Sequence, residues 1–327
     1  MHRRSGFSAI ALIVIAAFGA TSSSLAADRL EPPAWLFPIP PPSSAPAAPL
    51  DDIKPLSIPT SDRTLTQAQI NSPFHAPDWH PDAHTPMPQI VAVGHAPDVI
   101  ACAYCHTPTG QGRPENSALA GLSADYIREQ LQDMRSGARV QVGPSNYLPI
   151  HNMLLGASHL SDAEIDAASD YFSRQRLGER VKVVETTRIP KVIPAGWVYA
   201  RASEGGEEDL GERIIEVTPD LTRHERRDDR MSYIAYVPPG SLQRGETLAG
   251  TADATLHCAS CHGADLKGGA QGPAIAGRSP TYLARQLFAF RVGTRHGQRA
   301  VLMQPVVARL TEPDVIALAA YVSSLRP

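Results

Sequence analysis

The residues of this chain best equipped for chemistry are four cysteines and the histidine that follows each pair of them. They read Cys102-Ala-Tyr-Cys105-His106 and Cys258-Ala-Ser-Cys261-His262, and the sequence holds no other cysteine. Two thiols three positions apart can each form a thioether to one vinyl group of a single porphyrin, and the adjacent imidazole then lies beneath its iron. The spacing points to two covalently bound haem c groups. Cys102 and Cys105 would hold one, with His106 as iron ligand; Cys258 and Cys261 would hold the other, with His262. Competing chemistries fit less well. Zinc needs four ligands, and neither cluster has a second Cys/His pair nearby. A redox C-x-x-C needs no following histidine.

A sixth iron ligand is the next requirement. Met153 stands seven residues before Leu160, and Met303 seven before Leu310. These two alone among the six methionines occupy equivalent places, which selects both as axial ligands. Thioether plus imidazole stabilises ferrous iron and raises the potential, as an electron carrier requires. His151 is a rival to Met153, and would lower the potential of the first haem. Met134 falls inside a helix and reads as core. His159 and His296 read as surface or capping residues, and His257 is too close to Cys258 to reach the iron beside it. His75, His80, His84 and His95 lie among prolines, which preorganise a metal site poorly. A carbonyl in the Gly272-Pro273 loop is placed to accept the His262 N–H. Ser117 stands at the matching point of the first motif and suggests a looser loop there.

The elements that must position these groups come from an internal repeat. At an offset of 156, G-L-S-A-D-Y-I-R-E-Q-L-Q-D-M-R-S-G (121–137) lies on G-R-S-P-T-Y-L-A-R-Q-L-F-A-F-R-V-G (277–293). Both read as helices capped by Ser123 or Ser279. Tyr126, Gln130, Tyr282 and Gln286 sit on matched faces, where packing and cofactor contact are both open roles. A second matched pair, 161–173 and 311–323, opens on capping boxes, Ser161 with Glu164 and Thr311 with Asp314. Each repeat is a small helical domain that needs a cofactor to complete its core.

Between the repeats, 181–186 and 213–218 alternate as strands, so the 179–238 segment is expected to be a short β-containing insertion built on a hairpin. The run T-R-H-E-R-R-D-D-R (222–230) reads as a solvated face. Residues 28–84 are a Pro-rich arm or linker, expected to be extended. Ahead of them, 1–27 has a basic start, a short apolar run and small residues up to Ala27, the pattern of a secretory signal peptide. If it were retained it would tie the chain to a membrane. With 30 Lys+Arg against 33 Asp+Glu, the net charge of −3 gives no basic excess for nucleic acid.

These features resemble the dihaem class I c-type cytochromes, in particular the two-domain cytochrome c-four kind. The resemblance rests on the two C-x-x-C-H motifs, the G-x-S-x-x-Y-x-x-x-Q-L helices and the methionine before a terminal helix. It covers about 100–176 and 239–327. It implies an all-α fold of two tandem cytochrome c domains, at 85–178 and 239–327, in the periplasm. It further implies electron exchange with a redox partner such as a respiratory complex, terminal oxidase or dehydrogenase. The arm and the insertion depart from the compact family pattern. The expected function is a carrier of single electrons. A dihaem peroxidase, a small-substrate dehydrogenase, or the cytochrome subunit of a larger dehydrogenase is the alternative.

Overall fold

The computed structural model describes residues 2, 31–42, 53–250 and 258–327. The expected signal peptide lies outside the described residues, apart from His2. Among the described residues no helix is long and apolar enough to cross a membrane.

The first lobe is helical. Two short helices, α1 (Gln67–Asn71) and α2 (Gln89–Ala92), lead into α3 (Cys102–His106), which is the first cysteine motif. Then come α4 (Ala124–Ser136), α5 (Leu148–His159) and α6 (Asp162–Ser173). The expected caps are present: Ser123 accepts from the Tyr126 amide, and Ser161 and Glu164 form a reciprocal capping box. Ile127, Leu131, Met134, Ile165 and Phe172 form the core of this lobe, which gives Met134 its packing role.

The insertion is larger in structure than a hairpin. Seven strands follow: β1 (Val181–Glu185), β2 (Arg188–Pro190), β3 (Val192–Ala195), β4 (Val198–Arg201), β5 (Glu207–Asp209), β6 (Ile215–Thr218) and β7 (Tyr233–Val237). Five form a mixed sheet in the order β1-β7-β6-β4-β3, and β2 pairs with β5 as a separate ribbon. Both expected strands exist, as β1 and β6, but β7 lies between them and pairs with both. All four residues of β6 are buried, so it needs a neighbour on each side, which a two-stranded hairpin cannot give.

The mixed-charge run is also corrected. It forms α7 (Leu221–Glu225) and the loop after it, with His224, Asp228 and Asp229 buried. Its charges are matched from the first lobe and the arm: Asp229 takes His80 Nδ1 at 2.5 Å and the Thr109 hydroxyl at 2.9 Å, and Asp228 takes the Thr60 hydroxyl and Arg223. Buried carboxylates such as Asp228 and Asp229 are tolerated where each finds a partner. His80, Asp228 and Asp229 lie close enough for a metal ion, but the His80 ring is used up, by Asp229 on one nitrogen and the Thr60 carbonyl on the other.

The second lobe repeats the first with α8 (Ser241–Gly250), α9 (Cys258–His262), α10 (Pro280–Val292), a 3-10 turn (Ala300–Met303), α11 (Gln304–Val307) and α12 (Glu312–Ser324). Gly245 lets α8 lie flat on α12, where an added Cβ would stand 2.1 Å from the Ala317 carbonyl oxygen. The insertion grips this lobe by Glu216, whose buried carboxylate accepts from Ser279 and Thr281 at the start of α10.

The arm at 31–42 is not extended throughout: Ala34–Leu36 form a 3-10 turn, and the segment is docked. Leu36 and Phe37 are buried in the core of the second lobe together with Phe288, Val142 and Tyr147. Trp35 donates to Glu312, and its carbonyl accepts from Tyr199. A proline-fixed backbone loses little entropy on docking, so a few apolar side chains suffice to hold it. Farther along, Ile58, Leu65, Ile70 and Trp79 make a small core of their own.

Burial holds the His224 imidazole well below its ordinary 6.5, at about 4. The unfolded chain therefore takes up a proton in a window where the folded one does not, and stability is lost as pH falls from about 6.5 towards 4. That loss should reach about 3 kcal/mol. Urea midpoints at pH 7 and 4.5 should show it in the native protein, and His224→Gln should flatten that part of the slope.

Candidate haem sites

Each motif sits in the same local geometry. The chain after the histidine passes three times through left-handed backbone, at Thr107, Gly110 and Gly112 in the first lobe and at Gly263, Leu266 and Gly268 in the second. The third position is glycine in both lobes, and at each of the first two one lobe has a glycine and the other a side chain. Thr107 is the costlier exception, since its φ of 65° with ψ of 153° belongs to a region that glycine dominates. The turns return a carbonyl to the imidazole. His106 Nδ1 meets the Ser117 carbonyl at 2.8 Å, and His262 Nδ1 meets the Pro273 carbonyl at 2.7 Å. The expected tether is therefore present in both lobes, and Ser117 makes the first no looser than the second.

With Nδ1 donating, Nε2 of each ring is left as the lone-pair atom. Burial lowers both imidazoles below the ordinary histidine value, which keeps them neutral. In the first lobe Nε2 faces Met153 Sδ at 3.5 Å. His106 and Met153 line a cavity with Cys102, Cys105 and Phe172. A second cavity is lined by Cys258, Cys261, His262 and Met303, with Phe290 and Leu287. The structure thus brings all eight expected residues to two cavities, four to each. His151 is exposed and outside the first cavity, while Ile150, Asn152 and Met153 line it. His159 and His296 are exposed and bond to backbone carbonyls within their own turns.

The wall between the cavities holds the four matched-face residues of the repeat and two arginines that the sequence reading did not single out. Tyr126, Gln130, Tyr282 and Gln286 line both cavities. They are joined by two buried arginines in near-symmetric positions. Arg139 donates to Gln130 at 3.1 Å and Gln286 at 3.0 Å; Arg295 donates to Gln130 at 2.7 Å, Gln286 at 3.1 Å and Tyr126 at 2.7 Å. Burial would raise the Tyr282 phenol, but Arg139 and Arg295 overcome it and hold the phenol below its usual value. The two arginines are 156 residues apart, just beyond the matched glycines, so the repeat could have exposed them. Phe37, Glu115 and Arg285 also line the first cavity, and no sequence pattern marks them.

Arginines bear on the first motif. Burial raises the Cys105 thiol, while Arg227 and Arg113 of neighbouring segments pull it down and Glu115 opposes them.

Two helical lobes, each presenting a thiol pair, a tethered neutral imidazole and a thioether around an apolar cavity, define a haem-binding protein of the c type. A family model described as cytochrome c matches residues 99–174 and 242–326. The thiosulfate dehydrogenase electron acceptor of Stutzerimonas stutzeri (strain A1501) is 29% identical over 235 residues, 71% of this chain and 82% of its own. Cytochrome c4 of Stutzerimonas stutzeri is 30% identical over 237 residues, 69% of this chain and 85% of its own. Among solved structures, the thiosulfate dehydrogenase of Marichromatium purpuratum matches 72% of this chain at 27% identity and a TM-score of 0.44, and this chain spans only 38% of that one. The chain belongs to the cytochrome c family, with two cytochrome c domains and two covalently bound haem c groups, as in the dihaem cytochromes c4.

The cavities suit that group. Their walls are mainly apolar, and Arg139, Arg285 and Arg295 are buried cations whose hydrogen bonds go to amide, phenol or backbone carbonyl oxygens. The Tyr147 hydroxyl lines the first cavity and has no hydrogen-bond partner among the described residues. A haem brings two carboxylates, the anions such cations and donors call for.

Gly272 offers a test of the imidazole tether. A Cβ there would lie 2.8 Å from His262 Nδ1. Gly272→Ala should displace the ring, cost about 1–3 kcal/mol in the second lobe, and alter the low-spin ferric resonance of the second haem alone, read by electron paramagnetic resonance.

Proposed function

We propose that the protein is an exported, periplasmic carrier that passes single electrons between redox proteins, with His106 and Met153 as the iron ligands of the first haem and His262 and Met303 as those of the second. The observation that carries this reading is the His106 Nε2 to Met153 Sδ approach of 3.5 Å inside an apolar cavity, with the other ring nitrogen fixed to Ser117. When bound, each haem supplies a one-electron iron couple. The residues do the rest. The cysteines fix the group in place, and the carbonyl tethers hold each imidazole neutral and oriented. Phe172 and Phe290 help to exclude water from the two cavities. A site closed on both sides changes little when an electron arrives, which favours transfer over substrate chemistry.

The partner we propose is a periplasmic dehydrogenase. Relatives from two organisms are named as electron acceptors of thiosulfate dehydrogenase, and the same role, as acceptor rather than oxidising enzyme, suits two cavities each furnished with an imidazole and a thioether.

The oxidised protein should show the far-red methionine-to-iron charge-transfer band at full intensity for two haems. Met153→Ala should halve that band and lower the potential of one haem. A native protein with half the band or none would have an iron that is open or bound by histidine, and the enzyme alternative would replace the carrier.

A further inference from the structure

One side chain of the insertion stacks directly on the first cysteine motif. Arg227, in the loop after α7, has a left-handed φ of 59° that turns its side chain back towards α3. Its guanidinium carbon lies 3.4 Å from the ring centre of Tyr104, the residue just before Cys105, and Nη1 donates to the Tyr104 carbonyl at 2.9 Å. Stacking and hydrogen bond together fix the cation in one pose. Among the described residues no carboxylate lies within ion-pair distance of Arg227, so its charge is left unneutralised. Glu115, the acid that bears on Cys105, is paired with Arg113 at 2.6 Å. The second motif has no counterpart: Ser260 stands where the first has Tyr104, and no arginine among the described residues stacks on α9.

We propose that Arg227 is a positioning residue through which the inserted sheet domain raises the reduction potential of the first haem. The inference rests on Cys102 and Cys105 carrying that haem. A fixed cation beside the attachment turn favours the state with one less positive charge, so an electron from a partner protein or from the second haem is held more firmly at the first. The step is a bare transfer: ferric iron gains one electron and becomes ferrous, the donor loses one, and no proton or ligand moves. The insertion thereby makes two similar sites unequal and gives transfer between them a direction.

The test is a redox titration of the full, haem-loaded chain, with the two waves assigned by a Cys102→Ser/Cys105→Ser variant that lacks the first haem. Arg227→Gln should shift the ferric–ferrous equilibrium of the first haem about threefold to tenfold towards ferric, where tenfold is 59 mV for one electron, and leave the second wave in place. Arg227→Lys, which keeps the charge, should restore most of the shift. Tyr104→Ser, which copies the second motif and frees the guanidinium into water, should lower the first wave with Arg227 intact, and serves if Arg227→Gln does not mature. An unchanged first wave in Arg227→Gln or Tyr104→Ser overturns the proposal. So does an equal fall with lysine at 227, since the effect would then follow packing and not charge. The charge-transfer band of the native protein separates the two ideas: if it is intact while the potentials ignore Arg227, the carrier reading stands and this one fails.

Discussion

The hydrogen bond from each proximal imidazole to a backbone carbonyl eleven residues later governs the local architecture of both lobes. It fixes the tautomer, so that one ring nitrogen donates to protein and the other faces the cavity. To bring the carbonyl back, the chain must reverse within a short loop, and both lobes do so through left-handed residues at three matched places. The loop then delivers the chain to the serine caps of α4 and α10 at a set distance. Those helices carry the tyrosine and glutamine that form the wall between the cavities. A loop of different length would move the carbonyl, the helix start and the wall together.

Buried positive charge is the second theme. Arg139 and Arg295 stand in the wall, Arg278 spans from the second lobe to the Ala118 and Ala120 carbonyls of the first, and Arg285 bonds the carbonyls of Leu36 and Pro114. Burial lowers Arg278 to about 10, which still leaves it charged at neutral pH. Desolvating a cation is costly, and oxygen dipoles repay only part of it. Cations gathered along the seam between two cavities make sense where the occupants bring their own negative charge. The same side chains that join the lobes would then hold the carboxylate edges of both haems, so lobe docking and cofactor burial reinforce each other.

The two lobes could be read from the sequence because their signals are local. Thiol spacing, serine caps and the repeat offset each survive without knowledge of distant residues, and register alone places Met153 and Met303 in equivalent positions. What could not be read depends on contacts far apart in the chain. Tyr233–Val237 enters the sheet between β1 and β6 because β6 is buried on every residue, a property visible only once the second lobe covers it. The charges of 222–230 turn inward because Thr60, His80 and Thr109, more than a hundred residues earlier, supply their partners. Trp35, Leu36 and Phe37 look like three apolar residues stranded among prolines until α10 and α12 offer them a place.

That arm also bears on how the molecule assembles. Trp35 finds Tyr199 and Glu312 at separations of 164 and 277 residues, among the longest contacts in the chain. Loop closure on that scale cannot come early, since the entropy lost must be repaid by surfaces that already exist. Residues 35–37 therefore settle late, with Phe37 against the wall of the first cavity. Until then that cavity lacks part of its wall, an interval in which a bulky, rigid planar group could still be threaded in and bonded before the arm closes over it.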